Sequence, residues 1–192
     1  LDGHVVAVDS VKAEGAKDMK LIVPKATAKK LISMGVIDDV TLTYTKNSAV
    51  FKSDEYTIYT RLITGNYFPY QKMFTEGEIN TCASRTALIG AMTRAKMCTE
   101  EKQPAVFQIE DDVLNISIRG KLADYQEQVP LQETVCKSIR LGFDSKLVLE
   151  TLKAFTCDNI ALGFTSPRTP MIVEAEDSDM KAMVLPVAIR EA

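Results

Sequence analysis

The residues that could perform chemistry are few, and they do not form a recognisable catalytic set. His4 is the only histidine of the 192-residue chain, so no Ser/His/Asp or Cys/His arrangement can be built elsewhere. The glycine-rich loops that hold nucleotide phosphates are also missing from the sequence. We therefore expect a binding or structural protein rather than an enzyme, with no cofactor and no metal site.

Three pairs of adjacent carboxylates are candidates for chemistry, and each of them lies in a polar segment that we interpret as a turn. Charges in such segments are usually solvated, so we favour exposed turn residues over acid/base or metal-binding groups. The pairs are Asp38-Asp39, Glu100-Glu101 and Asp111-Asp112.

The four cysteines have no CxxC or similar spacing, and a single histidine cannot complete a Cys/His zinc set. We favour reduced, mostly buried thiols over disulfides or metal ligands, as in a cytoplasmic protein. These residues are Cys82, Cys98, Cys136 and Cys157.

The composition permits one or two globular domains, because 46% of the residues are hydrophobic. No apolar run approaches the roughly 18 residues that a membrane-spanning helix needs. We therefore expect no membrane segment. A basic, then apolar, leader is also missing, and because the chain opens on Leu1 we expect a processed or truncated product.

Positive charge is concentrated on two predicted helices, although the formal net charge of the chain is −3. The segment 25–34 carries three lysines, the segment 85–98 carries two arginines and one lysine, and neither contains an acidic residue. Lysine is a good exposed helix former, which is the simpler explanation. Like charges one turn apart repel, however, so a polyanion facing these helices is the alternative. Such contacts would be made to phosphate, independently of base sequence.

The elements that position these side chains follow one pattern, strand–helix–strands, which occurs three times. The copies lie at about 21–63, 78–131 and 139–189, and corresponding positions recur about every 60 residues. Strands such as VTLTYT alternate with a period of two, which is typical of half-solvated antiparallel sheets. The sequence therefore predicts an α+β fold of repeated β-α-β-β-β modules with helices on one face of the sheets.

Several local features of this pattern can be tested. We expect a strand at 19–23, a hairpin turn at Asp111-Asp112, and separate strands at 123–130 and 138–143. Ser84 should cap the second helix, and Asp144 or Ser145 the third.

The repeat count predicts a complete domain and an incomplete one. Two copies that share one core make a domain, so residues 75–192 should be complete. Residues 1–74 hold one copy and most of the aromatic connector, which runs from residue 65 to residue 78. Its apolar faces should be uncovered, which implies a missing upstream segment or a partner chain.

Four segments resemble the bacterial sliding clamps, the β subunits of DNA polymerase III. LDGHVVAV is similar to the family's TDGHRLA, and RLITGNYFPYQKMF to its interdomain linker RLI-GRFPDYRRV. LGFDSKLVLETLKAF resembles the family's IGFN–YLLDAL helix start, and AMVLPVAI its terminal YVVMPMRL. The four matches follow the family's order and span nearly the whole chain.

This resemblance implies the DNA clamp fold. Each clamp domain is two modules, three domains make a protomer, and two protomers form a homodimer ring around duplex DNA. Residues 1–74 would be the second half of domain two with the linker, and residues 75–192 would be domain three. Without domain one, this fragment could not close the usual ring. In the family the helices face the DNA, which gives as DNA-facing residues Lys25, Lys29, Lys30, Arg85, Arg94, Lys96 and Lys146.

The resemblance also implies a peptide-binding pocket on domain three. In the family it docks short motifs of the DNA polymerase III alpha subunit, the clamp loader and repair polymerases. The corresponding positions here are Leu1, Gly3, His4, Val5, Phe68, Lys72, Met73, Asp144, Leu147, Arg168, Pro170, Leu185 and Pro186. Met97 and Cys98 match an apolar pair at the family's subunit contact, and burial in the module's own core is the alternative.

Several positions depart from the family pattern. Val5 and Lys72 replace arginines, Asp144 replaces an asparagine, and Arg168 takes an apolar place. The prediction is therefore a non-catalytic, cytoplasmic processivity factor for DNA replication whose partner choice is open. A divergent clamp-like protein with other partners, and an α+β domain with a small-molecule pocket, remain as alternatives.

Overall fold

The chain divides into two compact units, each with its own antiparallel sheet. The computed structural model describes residues 1–12, 18–35, 39–99, 103–120, 123–177 and 179–189. The larger unit comprises residues 1–12 and 70–192, and the smaller comprises residues 13–69. The boundary expected after residue 74, between domains two and three, stays a prediction. Residues 1–12 lie in the larger unit, because their strand pairs with a strand of its sheet.

In its described residues, the larger unit contains a sheet of seven strands, two α-helices and one 3₁₀ helix, Tyr70–Met73. Its strands are β1 (Val5–Val8), β5 (Ile79–Ser84), β6 (Ala105–Arg119), β7 (Asp124–Phe143), β8 (Asn159–Phe164), β9 (Met171–Ala175) and β10 (Lys181–Val184), and its helices are α2 (Arg85–Cys98) and α3 (Ser145–Ala154). The sheet order is β1-β10-β9-β8-β5-β7-β6. All named pairs are antiparallel, which confirms the predicted α+β class.

Both helices of the larger unit begin where the sequence predicts, because a side chain caps each of them. The Ser84 hydroxyl accepts a hydrogen bond from the Ala87 N–H at 3.4 Å. The Asp144 carboxylate accepts from the N–H groups of Lys146 and Leu147, at 2.8 and 3.2 Å. These bonds satisfy N–H groups that have no partner within the first turn of a helix.

The main core lies between the sheet and the two helices, which pack against each other. Each helix buries one stripe against the sheet, for example Leu88 and Met92 on α2 and Leu152 on α3. The rings of Phe107 and Phe143 meet edge to face with centroids 5.2 Å apart. Two helix stripes and one sheet face thus close a single core.

The predicted hairpin turn at Asp111-Asp112 is wrong. β6 runs unbroken from Ala105 to Arg119, and β7 is likewise one strand where two were expected. The β6–β7 register shifts on both sides of Asp111, whose φ is +51°. Aspartate tolerates the left-handed region, so the polar pair forms a β-bulge inside a long hairpin and not its turn.

The remaining turn and thiol predictions have mixed outcomes. Asp38, Glu100 and Glu101 lie outside the described residues, so their interpretation as turn charges stays a prediction. All four cysteines are free, as predicted, but Cys98 is half-buried and Cys136 is exposed.

In the described part of the chain, no helix is both long and apolar enough to cross a membrane.

Over residues 18–35 and 39–69, the smaller unit forms a three-stranded sheet and one helix. Its elements are α1 (Lys25–Ser33), β2 (Thr41–Tyr44), β3 (Ser48–Lys52) and β4 (Thr57–Arg61), with β3 in the centre of the sheet. The hydroxyls of Thr27 and Thr60, 2.7 Å apart, join α1 to β4. The strand expected at 19–23 is wrong, because a single backbone bond, from Ile63 N–H to the Ile22 carbonyl at 2.9 Å, does not make a ladder.

The large apolar side chains of the smaller unit are mostly half-buried or exposed, and few of them are fully buried. Among its described residues, Ala49 and Leu62 are the buried hydrophobic ones. Ile32 is 80% exposed and Tyr59 is 65% exposed.

Candidate functional site

The start of β1 and the end of β10 lie side by side, which brings two distant predicted pocket segments together. Val5 pairs with Val184, and the Leu185 N–H donates to the His4 carbonyl at 2.9 Å. The Asp2 carboxylate accepts from the N–H groups of His4 and Val5, both at 3.0 Å. This local turn holds the residues before β1 next to the C-terminal segment.

The C-terminal segment then passes the start of α3. The Val187 N–H donates to the Gly142 carbonyl at 2.8 Å. A Cβ on Gly142 would lie 2.7 Å from the Val187 carbonyl oxygen, so the approach requires glycine. Gly142 lies two residues before the helix cap Asp144, so Leu185 and Pro186 are brought towards the first turn of α3.

A tight turn presents the two predicted pocket residues that precede β9. The Thr169 N–H donates to the Ser166 carbonyl at 3.2 Å, and the Arg168 N–H donates to the Ser166 hydroxyl at 3.3 Å. Arg168 is exposed on this turn. Pro170 leads into β9, whose first residue pairs with the last residue of β10, so Pro170 lies at the same end of the sheet as Leu185.

Met73 packs into a second apolar cluster on the opposite side of the sheet from the main core. The cluster consists of the buried residues Val6, Ile172 and Met183, with Val8, Tyr70, Met73 and Phe74 packed against them. Val6, Ile172 and Met183 were missed in the sequence analysis. Strand alternation could have found them, since Val5 faces the main core and Val6 therefore faces the other side.

The segments described above, all in the larger unit, thus carry apolar side chains and three exposed polar ones. His4, Lys72 and Arg168 are exposed, while Met73 and Leu147 are half-buried. Leu1 is 59% exposed. Phe68, 49% exposed, belongs to the smaller unit. No group of three or more metal-binding side chains occurs among residues with a described structure.

The two helices of the larger unit expose fewer unpaired positive charges than the sequence suggests. Lys96 and Lys146 are exposed and have no acidic partner within the described ranges. Arg85 donates from Nε to the Cys157 carbonyl at 2.6 Å, which fixes its guanidinium beside β8. Lys25, Lys29 and Lys30 are exposed on α1 of the smaller unit.

Arg94 is ion-paired, because both its Nε and Nη2 donate to the Glu127 carboxylate. The Tyr125 hydroxyl also faces that carboxylate and lies 2.9 Å from the Ala91 carbonyl. Hydrogen bonds from Arg94 and Tyr125 hold the pKa of Glu127 at about 2. Burial and the neighbouring carboxylate raise the pKa of Tyr125. The cluster ties α2 to β7 and compensates one of the predicted DNA-facing charges.

The two residues matched to the family's subunit contact lie at the C-terminal end of α2. Met97 is 82% exposed, so burial in the module's own core does not account for it. Cys98 is half-buried.

The family model of the C-terminal domain of the DNA polymerase III beta subunit matches residues 73–188. The beta sliding clamp of Staphylococcus aureus is 26% identical over 97% of this chain and 52% of its own length. The beta sliding clamp of Streptococcus pneumoniae is 21% identical over 98% of this chain and 52% of its own length.

A solved structure shows the same fold. The DNA polymerase III subunit beta of Pseudomonas aeruginosa superposes with a TM-score of 0.90 at 20% identity, covering 98% of this chain and 54% of that one. The chain therefore spans about half the length of these relatives. Since the family model covers more than half of the 192-residue chain, the chain belongs to the DNA polymerase III beta subunit family.

Proposed function

We propose that this chain is part of a sliding clamp, a non-catalytic processivity factor that encircles duplex DNA and tethers DNA polymerase III. The observation that carries the proposal is the convergence of separate segments at one end of the larger unit. The backbone of His4 is hydrogen-bonded to Leu185, and that of Val187 is hydrogen-bonded to Gly142, close to the α3 cap. Met73 packs against side chains of β1, β9 and β10.

The convergence suits a short peptide with an apolar anchor. Met73 and Leu147 are half-buried, so each can gain contact area from a bound apolar side chain. Exposed polar groups around them, such as Lys72 and His4, can bond the peptide backbone. The proposed clients are the polymerase alpha subunit, the clamp loader and repair polymerases. The departures at Val5, Lys72, Asp144 and Arg168 would alter which of them is preferred.

The basic helices support sequence-independent contact with DNA. Lys96 and Lys146 present ammonium groups without described acidic partners, and lysines can bind phosphates without reading bases. In the smaller unit, the three exposed lysines of α1 are proposed to contact phosphate in the same way. Arg94 should contribute least, because Glu127 already compensates its charge.

The ring itself requires sequence beyond this chain. Its relatives are about twice as long, and we propose that the full-length protein is a homodimer in the cytoplasm. Residues 1–74 would belong to domain two and residues 75–192 to domain three, with β1 pairing across that boundary. Exposed Met97 and half-buried Cys98 would lie at the subunit contact.

Peptide binding by the full-length protein tests the pocket. A labelled clamp-binding peptide from the polymerase should lose about tenfold or more in affinity on Met73→Ala or Leu147→Ala. Met19→Ala, at an exposed methionine that belongs to no proposed site, is the matched control and should bind like the unmodified protein. If the unmodified protein binds neither this peptide nor primed circular DNA, the proposal fails.

The salt dependence of retention on circular DNA tests whether the basic helices contact DNA. Lys96→Glu combined with Lys146→Glu should weaken retention and reduce its salt dependence, because fewer counterions are released. Lys46→Glu combined with Lys52→Glu, at two exposed positions of the smaller sheet, is the control with the same change in net charge. Equal losses in both variants would assign the DNA contact to another surface.

A further inference from the structure

A groove continues from the second apolar cluster across the same side of the sheet. It has a volume of about 480 Å³ and lies between residues 74–77 and the strands β5, β8, β9 and β10. Its apolar lining includes Phe74, Ala161 and Ile172. Phe74 and Ile172 also belong to the second apolar cluster, so the groove is continuous with the proposed peptide site.

Close backbone packing fixes residues 74–77, which form one side of the groove. The Asn80 side-chain amide donates to the Gly77 carbonyl at 2.8 Å. A Cβ on Gly77 would lie 2.7 Å from the Phe164 backbone nitrogen, and a Cβ on Gly163 would lie 3.1 Å from the Asn80 Oδ1. Backbone packing at these two glycines sets the position of residues 74–77 over the sheet.

The rim of the groove is acidic. Glu76 and Glu174 line it, are exposed, and take part in no ion pair within the described part of the chain. Lys181 pairs with Glu174 across β9 and β10, but its Nζ lies 5.5 Å from the centroid of the Phe74 ring. The ammonium group keeps its charge in this cation–π contact, so two carboxylates and one ammonium group leave the groove with a net negative charge.

We infer that the site selects client segments in which a basic side chain lies next to the apolar anchor. The anchor would fill the apolar cluster, and the basic side chain would extend along the groove to Glu174 and Glu76. This inference rests on the proposed peptide-binding function and adds a charge preference to it. Complementary charges at the rim of an interface change selectivity more than they change the area buried.

Two labelled peptides with one clamp-binding core test the inference. One carries two lysines beside the core and the other carries two glutamates, and both are titrated against the full-length protein. We expect the lysine peptide to bind about three- to tenfold more tightly at low salt, with the difference shrinking as salt rises. Glu174→Gln should reduce the preference and Glu174→Lys should abolish or reverse it. Glu133→Lys, an exposed position on β7, should leave it unchanged.

The outcomes separate the inference from the function beneath it. If both peptides bind equally and depend on Met73, the inference is overturned and the peptide site stands. If the preference persists in Glu174→Lys, another acidic surface is responsible, which also overturns it. If neither peptide binds the unmodified protein, the proposed function itself fails.

Discussion

The two units of this chain share a pattern of a helix followed by antiparallel strands, and they differ sharply in what they bury. The larger unit combines two copies and closes a core in which side chains such as Phe107 and Phe143 are fully buried. The smaller unit has one copy, and Ile32 on its helix is 80% exposed. A single module makes its sheet and its helix, but it has no second helix and sheet to cover their apolar faces.

The difference shows where the folding free energy of the repeat resides. Burial of apolar surface is worth roughly 25 cal/mol per Å², so a module gains most of its stability when it is paired. We therefore expect the larger unit to carry most of the stability of this chain. The smaller unit should depend on a covering segment in the full-length protein.

The largest effect should come from truncating a core side chain of the larger unit. Phe143→Ala should lower the free energy of unfolding by about 3–5 kcal/mol, because it leaves a cavity in a closed core. Ile32→Ala in the smaller unit should change it by less than about 0.5 kcal/mol, since that side chain is already exposed. Urea unfolding of this chain measures both values. Similar losses would remove the contrast between the units.

A methyl group at Gly142 should give the next largest effect. Gly142→Ala should cost about 1–3 kcal/mol, because the new carbon would lie against the Val187 carbonyl and displace the C-terminal segment. Peptide affinity should fall together with stability. At Gly3 nothing lies within 4 Å of an added Cβ, so Gly3→Ala is the control for stability and should be near neutral. If Gly142→Ala left the peptide affinity unchanged, the C-terminal segment would not be part of the peptide site.

A smaller effect is expected where α2 meets β7. Tyr125→Phe should cost about 0.5–1.5 kcal/mol, since it removes the hydroxyl that faces Glu127 and Ala91. Tyr59→Phe alters a tyrosine that is 65% exposed and should be nearly silent in the same thermal unfolding assay. Equal shifts of Tm in both variants would mean that the hydroxyl contributes little.

The smallest predicted effect is a pH dependence that arises from Glu127, because solvent screens the partly exposed ion pair with Arg94. Its pKa is about 2 in the folded protein against an ordinary value of 4.5, so the unfolded chain takes up the proton first. The stabilisation should be complete above about pH 4.5 and should be lost as the pH falls towards 2. Glu127→Gln should flatten this part of the curve of Tm against pH. An unchanged slope would assign the acid sensitivity to other carboxylates.

The sequence patterns predicted the parts of the fold that depend on local information. The repeat, the helix caps Ser84 and Asp144, and the α+β class follow from spacing and side-chain type. The bulge at Asp111 did not follow, because an aspartate pair favours a turn and a bulge equally well. Only the pairing partner of the strand decides between them.

The site was harder to predict, because its contacts join residues that are distant in sequence. The partner of Arg94 is Glu127, 33 residues away, so its charge looked free in the sequence. The second apolar cluster takes Val6, Ile172 and Met183 from three strands whose order in the sheet does not follow the chain. Resemblance to a family supplied the pocket positions, and these contacts show which of them lie together.

Hydrogen–deuterium exchange of the full-length protein with and without the clamp-binding peptide tests the central claim most directly. The claim is that separate segments of the larger unit form one peptide site. Binding should slow exchange in residues 3–6, 72–74, 145–148 and 183–187 together and leave α2 unchanged. Protection confined to α2 or to the β6–β7 hairpin would contradict it.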